Sequence, residues 1–188
     1  MKKIKTILIS LLIIIIFAIL SVKIFIPKIL MKIKEYELSK ADEVLIIGNY
    51  YNFKKERFLE RFLKLIDDKK EINRLKEIIF NNSIKKVEYE FYKNNLHAIA
   101  TKIVTSIVYY NRKKNEYSGF KIRCNSVMEL NKYVCVDVEN PIISKIYEEI
   151  IKEEDIKNEL LEKNEEMWSD DWKEVFLYYK NLLKKESD

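Results

Sequence analysis

Two cysteines, Cys124 and Cys135, are the residues of this chain with the most versatile chemistry. They flank a short stretch between two segments of alternating apolar and polar residues, so a disulfide between neighbouring strands is one interpretation. The alternation opposes it, because Cys124 shares a face with Phe120 and Ile122, whereas Cys135 shares the other face with Asp137. A bridge would need a bulge or a strand end that turns one of the two. The bridged and unbridged states therefore both stay open.

The other residue types used in catalysis occur without an accompanying motif. His97 is the only histidine, and no clustered cysteines or carboxylates accompany it, so no metal site is predicted. Acidic runs at 153–155 and 165–166 lie in strongly charged helical stretches, where a solvated face is the usual role. Gly48 and Gly119 stand alone, which predicts no phosphate-cradling loop. We predict no catalytic residue and no cofactor, and an enzyme is disfavoured without being excluded.

The longest apolar run lies at the N-terminus. It is uncharged from Thr6 to Val22 and resumes after Lys23 up to Ile26. Residues 6–26 would form about 31 Å of helix, which matches a hydrocarbon core of about 30 Å. The sequence therefore predicts a transmembrane signal-anchor helix over 6–26. One alternative is a cleaved signal peptide, which the long run and the poor cleavage sites near its end disfavour. The other is a buried helix of a soluble protein, which the length of the run disfavours most.

The predicted anchor divides the chain. Residues 1–5 would be a cytoplasmic tail, residues 27–47 a juxtamembrane helix or stalk, and residues 48–188 a single extracytoplasmic α+β domain. The expected localisation is a single-pass cell-membrane protein of a bacterial envelope, with the membrane itself as one partner. The predicted orientation, with the N-terminus in the cytoplasm, rests on the short basic N-terminal tail, which is difficult to translocate across a membrane.

The positive net charge belongs to the N-terminal part of the chain. Residues 1–34 carry seven lysines and no acidic residue, which leaves 28 basic and 30 acidic residues beyond them. The folded part is therefore slightly acidic, which argues against nucleic acid as a partner.

Periodicity predicts an α+β fold in three parts. Apolar spacings of three and four from about 34 to 82 predict helices, with Asp68 as an N-cap. Alternation over about 84–138 predicts a four-stranded antiparallel meander, in which a turn centred on Lys114 would place Phe120 opposite Val108. Helical spacing returns over about 141–186, where Pro141 fits the first turn of a helix and Ser169 would cap the last one.

One face of the predicted sheet carries an apolar strip on its middle strand, bordered by charges. Such a strip is a candidate protein-contact surface, and the alternative is that another helix of the same chain covers it. Its members are Ile99, Ile103, Ile107 and Tyr109.

The function that these patterns favour is binding or scaffolding of another protein. The anchor, the compact domain and the absence of a catalytic motif motivate this hypothesis. The alternatives are an immunity or inhibitor protein against a toxin, and a small membrane-tethered enzyme. No small-molecule ligand is predicted, because no residue pattern specifies one.

Overall fold

The computed structural model describes residues 2–50, 59–89, 104–131, 134–162 and 171–187. The chain is α+β, as predicted. The helices are α1 (Lys2–Ser39), α2 (Lys69–Phe80), α3 (Ile142–Glu149), α4 (Asn158–Glu162) and α5 (Trp172–Ser187). The strands are β1 (Glu43–Tyr50), β2 (Glu60–Ile66), β3 (Ile84–Tyr89), β4 (Val104–Asn111), β5 (Glu116–Arg123), β6 (Val127–Asn131) and β7 (Val134–Val138).

The described strands form one seven-stranded antiparallel sheet in the order β2-β1-β4-β5-β6-β7-β3. The predicted four-stranded meander is therefore wrong. Two of the additional strands, β1 and β2, lie in the range 34–82, where the apolar spacing predicted helices. A third, β6, lies between the two cysteines.

The β1–β2 pair was mistaken for helix because it is buried on both faces. Phe62 and Leu63 are adjacent in sequence, yet Phe62 belongs to the core on one side of the sheet and Leu63 to the core on the other. A strand covered on both sides reads as a near-continuous apolar run, so the alternation that marks a half-exposed strand is lost.

The two faces of the sheet have separate helical covers. On one face, which we call the α1 face, the C-terminal part of α1 packs together with α2 and α3. On the other, the α5 face, α4 and α5 cover β2, β1, β4 and β5. The core is thus a three-layer arrangement with the sheet in the middle.

The register of the β4–β5 hairpin differs by one residue from the prediction. Phe120 pairs with Ile107, and Val108 pairs with Gly119. The connecting turn ends at Asn115, whose φ of 54° lies in the left-handed region. This shift places Val108 on the α5 face and Ile107 on the α1 face.

The predicted transmembrane anchor at 6–26 is wrong. Among the described residues, no helix combines the length and the apolar character that crossing a bilayer requires. The single-pass membrane localisation and the integral membrane partner depended on this anchor, and both are corrected with it.

The later part of α1 packs against the folded core. Met31 and Leu38 are buried in the core of the α1 face. Between them, Lys34 and Glu37 form an ion pair beside the sheet at 3.1 Å. The helix ends at Ser39, and the chain enters β1 four residues later.

Candidate functional site

The predicted contact strip is partly visible in the structure. Ile99 and Ile103 lie outside the described residues. Ile107 and Tyr109 are 0% and 2% exposed, in the core beneath α1. Ile107 and Tyr109 therefore belong to the core cluster that contains residues of α1, α2 and α3.

Tyr109 anchors a polar cluster within that core. Its hydroxyl donates to Glu37 Oε2 at 2.6 Å, and the same oxygen accepts from Ser118 Oγ at 3.0 Å and from Lys34 Nζ at 3.1 Å. Burial works to raise the pKa of Glu37, but these donors and the charge of Lys34 outweigh it and hold the pKa below its usual value. The cluster fixes α1 on β4 and β5.

Cys124 and Cys135 are unbridged thiols. Strand β6 lies between β5 and β7, so the two cysteines are at least two strand spacings apart, more than about 10 Å, whereas bridged Cα atoms lie within about 7 Å. Burial raises the pKa of the Cys124 thiol, and nearby Asp137 and Glu129 add to this effect against the charge of Arg123. Cys124 is therefore a weak nucleophile at neutral pH.

The other chemical candidates are dispersed. His97 and the acidic run 165–166 lie outside the described residues. In the run 153–155, Asp155 accepts a hydrogen bond from Lys64 Nζ at 3.2 Å and holds this buried lysine in place together with Glu71. Within the described part of the chain, no group of three or more histidine, cysteine or acidic residues is arranged to hold a metal ion.

A pocket of about 440 Å³ opens beside α5, and we call it the Trp172 pocket. It lies where β5 and β6 separate, since their pairing ends at Lys121 and Glu129. Among the described residues, the polar lining is formed by Lys34, Lys121, Arg123, Glu129, Asn131 and Cys135, and the apolar lining by Gly119, Phe120, Leu130 and Trp172.

The register across three strands builds one wall of this pocket. Lys121 on β5 pairs with Glu129 on β6, which in turn pairs with Cys135 on β7. Two residues along β5, the Arg123 guanidinium forms an ion pair with the Glu129 carboxylate. A row of polar side chains therefore crosses β5, β6 and β7 on the α5 face of the sheet.

Trp172 forms the opposite wall because Gly119 lets it approach the sheet closely. A Cβ added at Gly119 would lie 2.9 Å from Cδ2 of the Trp172 ring and 2.8 Å from the Ile107 carbonyl oxygen. Lys121 Nζ lies 5.6 Å from the centroid of the Trp172 ring, within the range of a cation–π contact. Glycine at position 119 is thus required for the shape of the pocket.

Sequence reasoning missed this pocket because it did not find β6. Without that strand, Glu129 has no assigned position, and Trp172 reads as one more residue of an amphipathic helix. The alternation of Lys121 and Arg123 was a usable signal, since two cations on one face of a strand require a polar or solvated neighbour.

A second surface feature is the exposed aliphatic stretch of α1, residues 9–16, which we call the apolar segment. Seven of its eight side chains are large aliphatic groups, and each is 46% to 66% exposed. Monomeric proteins rarely leave such a continuous patch uncovered, and patches of this kind mark interaction sites.

Comparison with known proteins gives no relative for this chain: it matches no family model, no curated protein and no solved structure.

Proposed function

We propose that this protein is a binding protein that docks on a helical partner protein through the apolar segment of α1. The observation that carries the proposal is the run of exposed aliphatic side chains at Ile9 and Leu11 to Ile16. Burying a single leucine or isoleucine side chain is worth about 1.5–3 kcal/mol, so seven of them form a strong driving force for association.

The distribution of these side chains around the helix favours a groove or a helix bundle as the partner surface. Successive residues of an α-helix differ by about 100°, so eight consecutive residues point to all sides. A flat surface, or one parallel helix of a second copy, would cover only one side. Several helices of a different protein, arranged around the segment, would cover all of it.

The rest of α1 is suited to present the segment away from the domain. The helix is continuous from Lys2 to Ser39. Met31 and Leu38 fix its C-terminal part in the core, whereas Ile16 lies roughly 20 Å further along the axis. The apolar segment can therefore enter a partner without displacing the sheet or its covering helices.

Site-specific photocrosslinking in the native cell tests this proposal. A benzophenone side chain replaces Leu12 in one variant and Lys114, in the exposed β4–β5 turn, in a matched control. The expected result is one discrete adduct with another protein from position 12 and none from position 114. The partner identified in this way, once purified, should bind the full chain and should bind at least tenfold more weakly to a variant with Leu12→Gln, Ile13→Gln and Ile16→Gln.

Three results would contradict the proposal. One is that position 12 crosslinks only to a second copy of this chain. Another is that the identified protein binds the triple variant as tightly as the wild type. The third is that the purified chain floats with lipid vesicles and the triple variant does not, because the segment would then recognise lipid instead of protein.

A further inference from the structure

The outward side of α1 carries a second apolar stripe between the apolar segment and the end of the helix. Its side chains are 38% to 61% exposed and recur at spacings of three, four and three residues. We call this stripe the outer seam, and it consists of Ile26, Ile29, Ile33 and Tyr36. Scattered exposed apolar residues are normal on a protein surface, but a row of four on one side of a helix indicates a packing surface.

The geometry of the helix separates the outer seam from the side of α1 that packs on the sheet. Met31 is two residues away from both Ile29 and Ile33, which corresponds to about 200° around the helix axis. Met31 is buried in the core of the α1 face, so the two isoleucines point away from that core. Pro27, the proline within α1, is also buried and lies about 200° from Ile29, so its ring lies away from the outer seam.

The spacing of the outer seam continues into the apolar segment. Counted back from Ile26 in alternate steps of four and three residues, every position of the sequence is aliphatic, and these positions are Val22, Ile19, Ile15 and Leu12. An apolar residue at every 3.5 positions on average, maintained over residues 12–36, is the heptad pattern by which one helix packs along another. The next position in the pattern, Lys40, is charged and lies beyond the end of α1, so the pattern ends with the helix.

A single helix of a partner fits the outer seam, whereas several fit the apolar segment. At the outer seam the opposite side of α1 packs on its own domain, which leaves a strip that one helix can cover. The described helices α2, α3 and α5 bury their own apolar sides in the two cores, so none of these three covers the strip. Because the outer seam is continuous with the apolar segment, the partner bound there can also cover the seam.

Building on the proposed function, we propose that one α-helix of the same partner protein continues past the apolar segment and lies along the outer seam as far as Tyr36. The two helices pack in the left-handed heptad geometry, in which each side chain of one seam fits between four side chains of the other. Contact over residues 9–36 extends for about 40 Å and requires a partner helix of about 28 residues or more. The partner is thereby a protein with a long helix that has an apolar residue at every third or fourth position.

Photocrosslinking from the outer seam, with mapping of the attachment sites, tests this pairing in the native cell. The benzophenone side chain replaces Leu12, Ile29 or Tyr36 of the full-length chain, and Lys28 in a matched control, because Lys28 is exposed and lies about 100° from Ile29 on the helix. Positions 12, 29 and 36 should give adducts with one and the same protein, and position 28 should give none. On that protein, the sites reached from positions 29 and 36 should lie about 17 and about 24 residues from the site reached from position 12, in one direction along a single helix and to within about one turn.

Substitutions measure what the outer seam contributes to affinity. A double variant with Ile29→Gln and Ile33→Gln should bind the purified partner at least about fivefold more weakly than the wild type. Lys28→Gln is the matched control and should change the affinity by less than about twofold. Glutamine is a better helix former than isoleucine, and both substituted positions are exposed, so the double variant should keep its fold, which circular dichroism and urea unfolding verify.

The possible outcomes separate this pairing from the proposed function. If position 12 gives an adduct with another protein, but positions 29 and 36 give none or give adducts with a second copy of this chain, only the pairing is refuted. Attachment sites spread over several helices of the partner, or a double variant that binds as tightly as the wild type, also refute the pairing alone. Flotation of the full chain with lipid vesicles that the double variant loses would show that lipid covers the seam. If position 12 gives no adduct with another protein, the proposed function and the pairing both fail.

Discussion

The Tyr109 hydroxyl on β4 donates a 2.6 Å hydrogen bond to the Glu37 carboxylate on α1. This bond joins the first helix to the middle of the sheet, between residues 72 positions apart in the chain. Because Tyr109 is almost fully buried and Glu37 is partly buried, neither group has full access to water as an alternative partner. The contact therefore determines how firmly α1 is held on the domain.

Tyr109→Phe should destabilise the protein by about 1–2 kcal/mol. The ring and its packing remain, but Glu37 loses its shortest hydrogen bond and keeps only those from Ser118 and Lys34. Urea unfolding of the full chain measures the change. Tyr36→Phe, on the exposed side of the same helix, is the matched control and should change stability by less than about 0.5 kcal/mol.

The contribution of Glu37 should disappear in acid. Its folded-state pKa lies below the usual 4.5, so its stabilising effect is complete above the unfolded-state pKa and is lost as the pH falls through the folded-state value. The difference in unfolding free energy between wild type and Glu37→Gln should therefore shrink between about pH 6 and about pH 3. A difference that stays constant over this range would contradict the assignment.

Lys64→Met should cost about 2–4 kcal/mol, because it leaves the carboxylates of Asp155 and Glu71 without their buried cation. The change also removes the hydrogen bond that Lys64 Nζ donates to the Ile150 carbonyl at 2.9 Å. Arg74→Met breaks an exposed pair with Glu149 and should cost less than about 0.5 kcal/mol. Denaturant unfolding of both variants checks the contrast, and equal losses would refute it.

Thr105→Val should stabilise the protein by about 1 kcal/mol. Thr105 is fully buried, and its hydroxyl finds no hydrogen-bond partner among the described residues. Replacing the hydroxyl by a methyl group of similar size removes this cost and keeps the shape of the side chain. Thr105→Ser, which keeps the hydroxyl and loses the methyl, should instead destabilise. A thermal melt of each variant gives the sign.

The cysteines should count as two thiols in the denatured chain, with and without reductant, because β6 separates them. In the native chain, Cys124 should react with a maleimide before Cys135, since Cys135 is only 4% exposed. Single serine variants assign the two phases. A count that rises from zero to two on reduction would show that the strand order between them is wrong.

The helices that the sequence predicted correctly have an apolar stripe on one side only. Helix α2 has the expected apolar stripe, and the Asp68 side chain accepts hydrogen bonds from Lys70 N and Glu71 N at 2.9 Å, as an N-cap does. Pro141 is the N-cap residue of α3, one position before the first turn in which it was predicted. At α5, the Asp171 carboxylate accepts from the amides of Lys173 and Glu174, so Asp171 performs the capping that was assigned to Ser169.

The elements that sequence reasoning missed depend on tertiary burial. Strands β1 and β2 lose their alternation because both faces are covered, and β6 is only five residues long. The Trp172 pocket depends on β6 and on the approach of α5 to Gly119, neither of which has a local signature. The N-terminal apolar run was interpreted from its length and hydropathy alone. These two properties do not show that the later part of α1 packs on the sheet.

The positions of β2 and β3 at opposite ends of the strand order have a consequence for synthesis. In the chain, little more than α2 separates these two edge strands. During synthesis, β1, β2 and β3 are therefore complete before β4 to β7, the strands that lie between β1 and β3 in the sheet. Val87 on β3 pairs with Val136 on β7, which is synthesised about fifty residues later. The nascent chain therefore carries an incomplete sheet until β7 has emerged. A polypeptide that ends before β7 would lack the strand that pairs with β3.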